Sequence, residues 1–178
     1  NIWSSSETTL PYDKTKQEFD KNSVLYRFNH QLKSSGLETK HTMSPDFSWS
    51  CIDIDKIISE YKLSNYILLF PFCSLHLTSK KWPYFNNLIN LIKTKYKDQF
   101  KIIIAPGPNE INEANQYDAI KILDNEKAIS ISQLSSLIKK SSFVIANDTG
   151  PAHMAAHLNA KGLALFGSHT TANKVSIE

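Results

Sequence analysis

From residue 65 onward, short runs that are apolar throughout alternate with stretches in which apolar residues recur every three to four positions. The runs cover 66–70, 102–105, 128–131, 143–146 and 163–166, and the stretches cover 84–97, 110–122, 132–140 and 152–158. Strands with no polar alternation are those buried on both faces, and strands separated by helices must run parallel. The pattern predicts an α/β fold: a Rossmann-like parallel sheet with helices on both faces. Upstream, Val24, Leu25, Phe28 and Leu32 mark a helix across 23–37 with Gly36 at its C-terminal cap. Ile54, Ile57, Ile58 and Tyr61 mark a second helix. Residues 38–50 show no period, and the polar stretch 1–22, with Pro11 as a breaker, reads as loop or edge. Residues 1–64 are therefore expected to be a connector with helices, and 65–178 an α/β domain. The sequence reaches Glu178 without a closing helix, so that domain is expected to be cut short.

The length of 178 residues suits one domain plus part of another and is too short for two complete α/β lobes. Hydrophobic residues make up 41% and charged residues 21%, as in ordinary globular chains, and no run approaches the roughly 20 apolar residues of a membrane span. The start at Asn1 rather than Met leads to the expectation that an upstream part is missing. A net charge of +3 with Arg27 as the single arginine, and lysines spread along the chain, argues against a nucleic-acid groove. Cys51 and Cys73 are far apart and lack zinc-site spacing, which favours a reducing compartment over a single disulfide. Internal repeats and low-complexity tracts are absent.

In an open parallel sheet, ligands bind beyond the carboxyl ends of the strands. After the fourth run stand Asn147, Asp148, Thr149, Gly150, Pro151, Ala152 and His153, leading into a helix with small residues Ala155 and Ala156. Thr149 and Gly150 at a helix N-terminus offer a hydroxyl, free N–H groups and the positive dipole end to a phosphate. Asp148 beside that phosphate is better suited to accept hydrogen bonds from sugar hydroxyls, and His153 to donate to a phosphate oxygen. An ordinary N-cap and turn is the competing reading. His153 and His157 share a helix face, but Met154 stands where a zinc motif has glutamate and no third ligand is near, so no metal site is expected.

The loop after the first run, 71–83, carries Ser74, Thr78, Ser79, Lys80, Lys81, Trp82 and Pro83; a lysine there can neutralise a departing diphosphate, although taken alone a Lys-Lys pair is better read as solvated surface charge, with Trp82 as core. After the second run, Pro106, Gly107, Pro108, Asn109 and Glu110 lead to Glu113, and an acidic residue at that helix start can accept the two ribose hydroxyls or serve as a cap. Gly167, Ser168, His169, Thr170 and Thr171 follow the last run and place a glycine and hydroxyls at the same end.

The string from Asn147 to Ala156, followed by Leu165, Phe166, Gly167 and Ser168, resembles the signature of glycosyltransferase family 9, the lipopolysaccharide heptosyltransferases. Lys80-Lys81-Trp82-Pro83 and Gly107-Pro108-Asn109-Glu110 match that family's Lys-x-Trp-Pro and Gly-Pro-x-Glu segments in order and spacing, so the resemblance runs over about 65–171. It implies the C-terminal, donor-binding lobe of a GT-B glycosyltransferase, preceded by the interdomain linker. The implied reaction is inverting transfer of a sugar from a nucleotide diphosphate, with ADP-heptose as donor and the lipopolysaccharide core as acceptor, without a metal or other cofactor. Carried over, Asp148 touches the sugar, while Thr149, Gly150, His153 and Lys80 lie at the diphosphate. Ser74 is a polar contact, Glu110 holds the ribose, and Ile129 packs near the base. His169, where many members carry Pro or Thr, and the longer apolar first loop depart from the family pattern.

The general base that an inverting transfer needs is expected in the absent N-terminal lobe, so the isolated chain is expected to bind nucleotide without turnover. A bacterial protein at the cytoplasmic face of the inner membrane, acting on a lipid-linked oligosaccharide, is implied by the acceptor alone. A non-catalytic nucleotide-binding domain and a GT-B-like nucleotide-sugar epimerase are the alternatives. A Rossmann dehydrogenase lacks its G-x-G-x-x-G after the first run.

Overall fold

The computed structural model describes residues 14–74, 76–168 and 170–175. Two compact units divide the chain: Phe47–His169, and Asn1–Asp46 with Thr170–Glu178. Residues 47–64, grouped with the connector by sequence, thus fold with the sheet.

In the second of these units, α1 is Lys14–Asp20 and α2 is Val24–Ser34, with α7 at Ala172–Val175. The Ser23 Oγ accepts the Tyr26 N–H at the start of α2, and Gly36, at φ +76°, takes the left-handed conformation that ends it. Helix α1 lies where a loop was expected. Its Lys, Gln and Glu residues are good helix formers, and Phe19 packs edge-on to His30 of α2 at 4.8 Å, a tertiary contact invisible to local pattern. The rest of the expected N-terminal loop, residues 1–13, lies outside the described residues.

The larger unit holds α3 (Asp55–Glu60), β1 (Tyr66–Phe70), α4 (Phe85–Tyr96), β2 (Lys101–Ile104), β3 (Ile120–Lys121), α5 (Ile131–Lys140), β4 (Phe143–Asn147), α6 (Gly150–His157) and β5 (Gly162–Leu165). All pairs are parallel and the strand order is β3-β2-β1-β4-β5. The central strand, Tyr-Ile-Leu-Leu-Phe, is buried at every position, as its unbroken apolar run requires.

Period-two alternation sends its side chains to opposite faces. On one face Ile67 and Leu69, with Ile102 and Ile104 of β2, pack against Phe85, Ile89 and Ile92 of α4, which are spaced four and three residues apart on one helix stripe. On the other, the buried Tyr66 hydroxyl donates to the Leu137 carbonyl of α5 at 2.7 Å. Burial pushes the Tyr66 phenol pKa up. Buried Ser135 and Ser136 of α5 receive the 47–52 segment: Ser50 Oγ donates to Ser135 Oγ (2.8 Å), and Ser136 Oγ accepts the Ile52 N–H (2.8 Å) while donating to the Ile52 carbonyl (2.5 Å). These bonds explain why residues upstream of 65 belong to the sheet's unit.

Two expected elements are corrected. Residues 110–122 are not one helix; they hold a short 3-10 turn at Glu113–Gln116 and then β3. Ile103 and Ile104 pair with Ile120 and Lys121, so the open edge of β2 captures the segment as a strand. Residues 128–131 are not a strand. Asp124 and Lys127 bridge around a turn at Asn125 and Glu126, both at positive φ. Ser130 then closes a capping box with Gln133, starting α5 where a strand was expected.

Candidate functional site

The order β3-β2-β1-β4-β5 means that the chain leaves β1 toward one edge, then returns to build the other edge from β4. The carboxyl ends of β1 and β4 therefore flank the point where the connections reverse, the place where such sheets open a crevice. A cavity of about 330 Å³ lies there, within the size range of small-molecule sites. Ser74, Glu110, Ile129, Thr149 and Gly150 all line it, so five of the eight expected site residues converge from four separate segments. Phe70, Phe72, Ile131 and Leu134 supply apolar wall that the sequence did not single out.

The other three residues form a polar cluster. Asp148 is 2% exposed, and its Oδ2 accepts a 2.8 Å hydrogen bond from Lys80 Nζ, which also reaches the Asp148 carbonyl at 3.3 Å. His153 Nε2 stands 3.7 Å from Asp148 Oδ1, an electrostatic contact rather than a hydrogen bond. Desolvation holds the His153 pKa down, the Asp148 carboxylate pulls it up, and the Lys80 ammonium pushes it down again. The expected sugar contact and the expected diphosphate contact are therefore paired with each other. Beside them, Ser79, Lys80, Lys81, Trp82, Leu165 and Gly167 border a second hollow of about 200 Å³.

Glu110 Oε2 accepts the Gly107 N–H at 2.8 Å, which shapes the Pro-Gly-Pro turn against the cavity. Burial raises the Glu110 pKa, the Gly107 hydrogen bond lowers it and the Glu113 charge adds to the rise. Such a carboxylate gains from any further donor directed at it. At the start of α6, Thr149 is extended and its hydroxyl donates to the Asn147 carbonyl at 3.3 Å instead of capping the helix.

Two features carry no assigned role in the sequence reading. Lys81 is ion-paired with Glu113, which ties the loop after β1 to the loop after β2. Asn147 is fully buried at the end of β4; its Oδ1 accepts the Trp82 N–H at 3.2 Å, and its Nδ2 donates to the Pro71 and Phe72 carbonyls at 2.9 and 3.4 Å. The available signal was a polar residue closing an otherwise apolar strand. Cys73 borders the cavity as a free thiol whose pKa burial raises, the opposite of an activated nucleophile. Leu75 and His169, the latter a departure from the resemblance, lie outside the described residues. Among the described residues no group of three or more His, Cys, Asp or Glu side chains is placed to hold a metal ion, and no helix is long and apolar enough to cross a membrane.

No curated protein matches the sequence. Solved structures share the fold. Escherichia coli heptosyltransferase WaaC with ADP-2-deoxy-2-fluoro heptose superposes with a TM-score of 0.54 at 18% identity, covering 83% of this chain and 46% of that one. A glycosyl transferase family 9 protein from Veillonella parvula gives 0.61 at 16%, covering 82% and 44%. A UDP-N-acetylglucosamine 2-epimerase assignment from Listeria monocytogenes gives 0.53 at 12%, covering 94% and 48%. The chain thus spans less than half the length of each of these proteins. Such distant likenesses establish architecture, which several activities share. The sequence itself matches the family model described as glycosyltransferase family 9 (heptosyltransferase) over residues 6–174, and the chain belongs to that family.

Proposed function

We propose that this chain is the donor-binding part of a nucleotide-sugar glycosyltransferase, with ADP-heptose as donor and a lipopolysaccharide core as acceptor. The convergence of Ser74, Glu110, Ile129, Thr149 and Gly150 on one cavity, with Lys80, Asp148 and His153 at its flank, carries the reading. The apolar wall of Phe70, Ile129, Ile131 and Leu134 suits a planar base, and the Glu110 carboxylate suits the two hydroxyls of a ribose. The N-terminus of α6, with Gly150 at its first turn, suits the diphosphate. Lys80 then exchanges the Asp148 carboxylate for diphosphate oxygens, and Asp148 is released to accept hydrogen bonds from the sugar.

Chemically, the chain supplies stabilisation of the leaving diphosphate, while deprotonation of the acceptor hydroxyl falls to a base in another lobe. The family match and the ADP-bound WaaC structure that shares this fold (TM-score 0.55) support ADP over other nucleotides. An epimerase shares the architecture equally, but the family match favours transfer.

Calorimetric titration and thermal shift with ADP, UDP, GDP and CDP test this reading. At about one hundred times the dissociation constant, a bound nucleotide adds about 2.7 kcal/mol, or about 5–10 °C for a domain of this size. A selective response to ADP is expected, with no sugar transfer by the 178 residues alone. An equal response to all four nucleotides, or none, would defeat the donor assignment.

A further inference from the structure

Asn147 is a polar side chain wholly removed from solvent, and both ends of its amide are used. A buried amide is retained only where its hydrogen bonds are satisfied. Here the partners are backbone groups at the two ends of one loop. Pro71 and Phe72 open it and receive the Nδ2 donors, while Trp82 closes it and gives its N–H to Oδ1. The orientation of the amide is fixed by this set, because carbonyls meet only the nitrogen and an N–H meets only the oxygen.

Between those anchors lie Ser74, which lines the cavity, and Lys80, which ends the 3-10 turn Thr78–Lys80 two residues before Trp82. Between the anchors Ser74, His76, Leu77, Thr78 and Ser79 are all exposed, while Lys80 and Lys81 at the far end pair with Asp148 and Glu113. The 0% exposure of Asn147 contrasts with that of the loop it grips, so the rigid sheet anchors the backbone at both ends of the loop through this side chain.

We propose that Asn147 is a positioning residue of the donor site: its amide clamps both ends of the 71–82 loop and thereby fixes where Lys80 meets the donor diphosphate. The inference rests on the nucleotide-sugar reading of the cavity. Asn147 touches no donor itself; it acts through the loop, in the way that buried supporting groups hold a binding side chain to its working geometry.

The test compares Asn147→Ala and Asn147→Ser with the unaltered chain and with Lys80→Ala. Serine keeps one hydroxyl for the network and serves if the alanine variant loses its cooperative melt. Amide hydrogen exchange at Trp82 and across 72–82 reads the clamp without any ligand, and calorimetry with ADP and with adenosine separates diphosphate from nucleoside contacts. The inference requires faster exchange at Trp82, an affinity loss of about tenfold for ADP with adenosine held within about twofold, and no further ADP loss when Lys80→Ala is added, since residues acting through one network are non-additive. Unchanged exchange, a parallel loss for ADP and adenosine, or additive losses with Lys80→Ala overturn it while leaving the nucleotide reading intact. An unaltered chain that binds neither ADP nor adenosine overturns the nucleotide reading and the inference with it.

Discussion

Removing Lys80 should cost the fold more than removing its partner. Asp148 is 2% exposed and Lys80 22%, so the carboxylate is the desolvated member of the pair and the ammonium the one that reaches solvent. Breaking a fully buried pair by deleting one partner costs about 3–5 kcal/mol, because the charge left behind is uncompensated. Here His153 remains 3.7 Å from the other carboxylate oxygen, which lowers the expected cost of Lys80→Ala to about 2–3 kcal/mol. In Asp148→Ala the remaining Lys80 turns to water, and the loss should be about 1 kcal/mol.

The two variants also move His153 in opposite directions. Lys80 pushes that pKa down and Asp148 pulls it up, so Lys80→Ala raises it and Asp148→Ala lowers it further. A more readily protonated His153 restores a cation beside Asp148 in acid, and the deficit of Lys80→Ala should shrink as pH falls below 6.5, the ordinary histidine value. Urea unfolding of both variants at pH 8 and pH 5.5, with an NMR titration of the His153 ring, provides the measurement. Equal losses, a larger loss for Asp148→Ala, or His153 shifts in the reverse directions would refute this account.

Gly162 begins β5 where a Cβ would stand 2.8 Å from the Val144 carbonyl oxygen, a backbone atom fixed in β4; Gly162→Ala should therefore destabilise by about 1–3 kcal/mol in urea titrations, and an unchanged midpoint would show that β5 yields freely. Burial lowers the pKa of both His153 and His157, with the His153 charge adding to the shift at His157. Their contribution to stability is therefore complete above pH 6.5 and lost as pH falls through their folded values. Glu110 behaves oppositely: its raised pKa makes its contribution complete below 4.5 and lost as pH rises through the folded value. Glu110→Gln should consequently be at least as stable as the parent at pH 8 while binding ADP less well, and a clear fall in its melting temperature there would contradict the assignment.

The sequence alone determined the class of fold and which loops would come together at one end of the sheet. Four of the five observed strands coincide with apolar runs; in β1, β2 and β4 the run reflects burial on both faces, which tolerates no polar position in the middle of a strand, whereas β5 is apolar but largely uncovered. The loops that follow those strands were legible for the same reason, and five expected residues meet in the cavity between them. The third strand was not legible. Its two residues, Ile120 and Lys121, become a strand only because β2 presents an unpaired edge, a decision made by a partner in space. The failure at 128–131 was of another kind, since the Ser130 and Gln133 spacing that starts α5 was present in the chain and its local signal was outweighed by the apolar run.

Tertiary structure alone decided the polar wiring. Lys80 and Asp148 are sixty-eight positions apart, Lys81 and Glu113 thirty-two, and Asn147 reaches back seventy-six to Pro71. Hydrophobic periodicity carries information about which face of an element is buried. It carries none about which charged or amide group will stand opposite, because that depends on strand order and on the crossing of loops that only the folded chain defines.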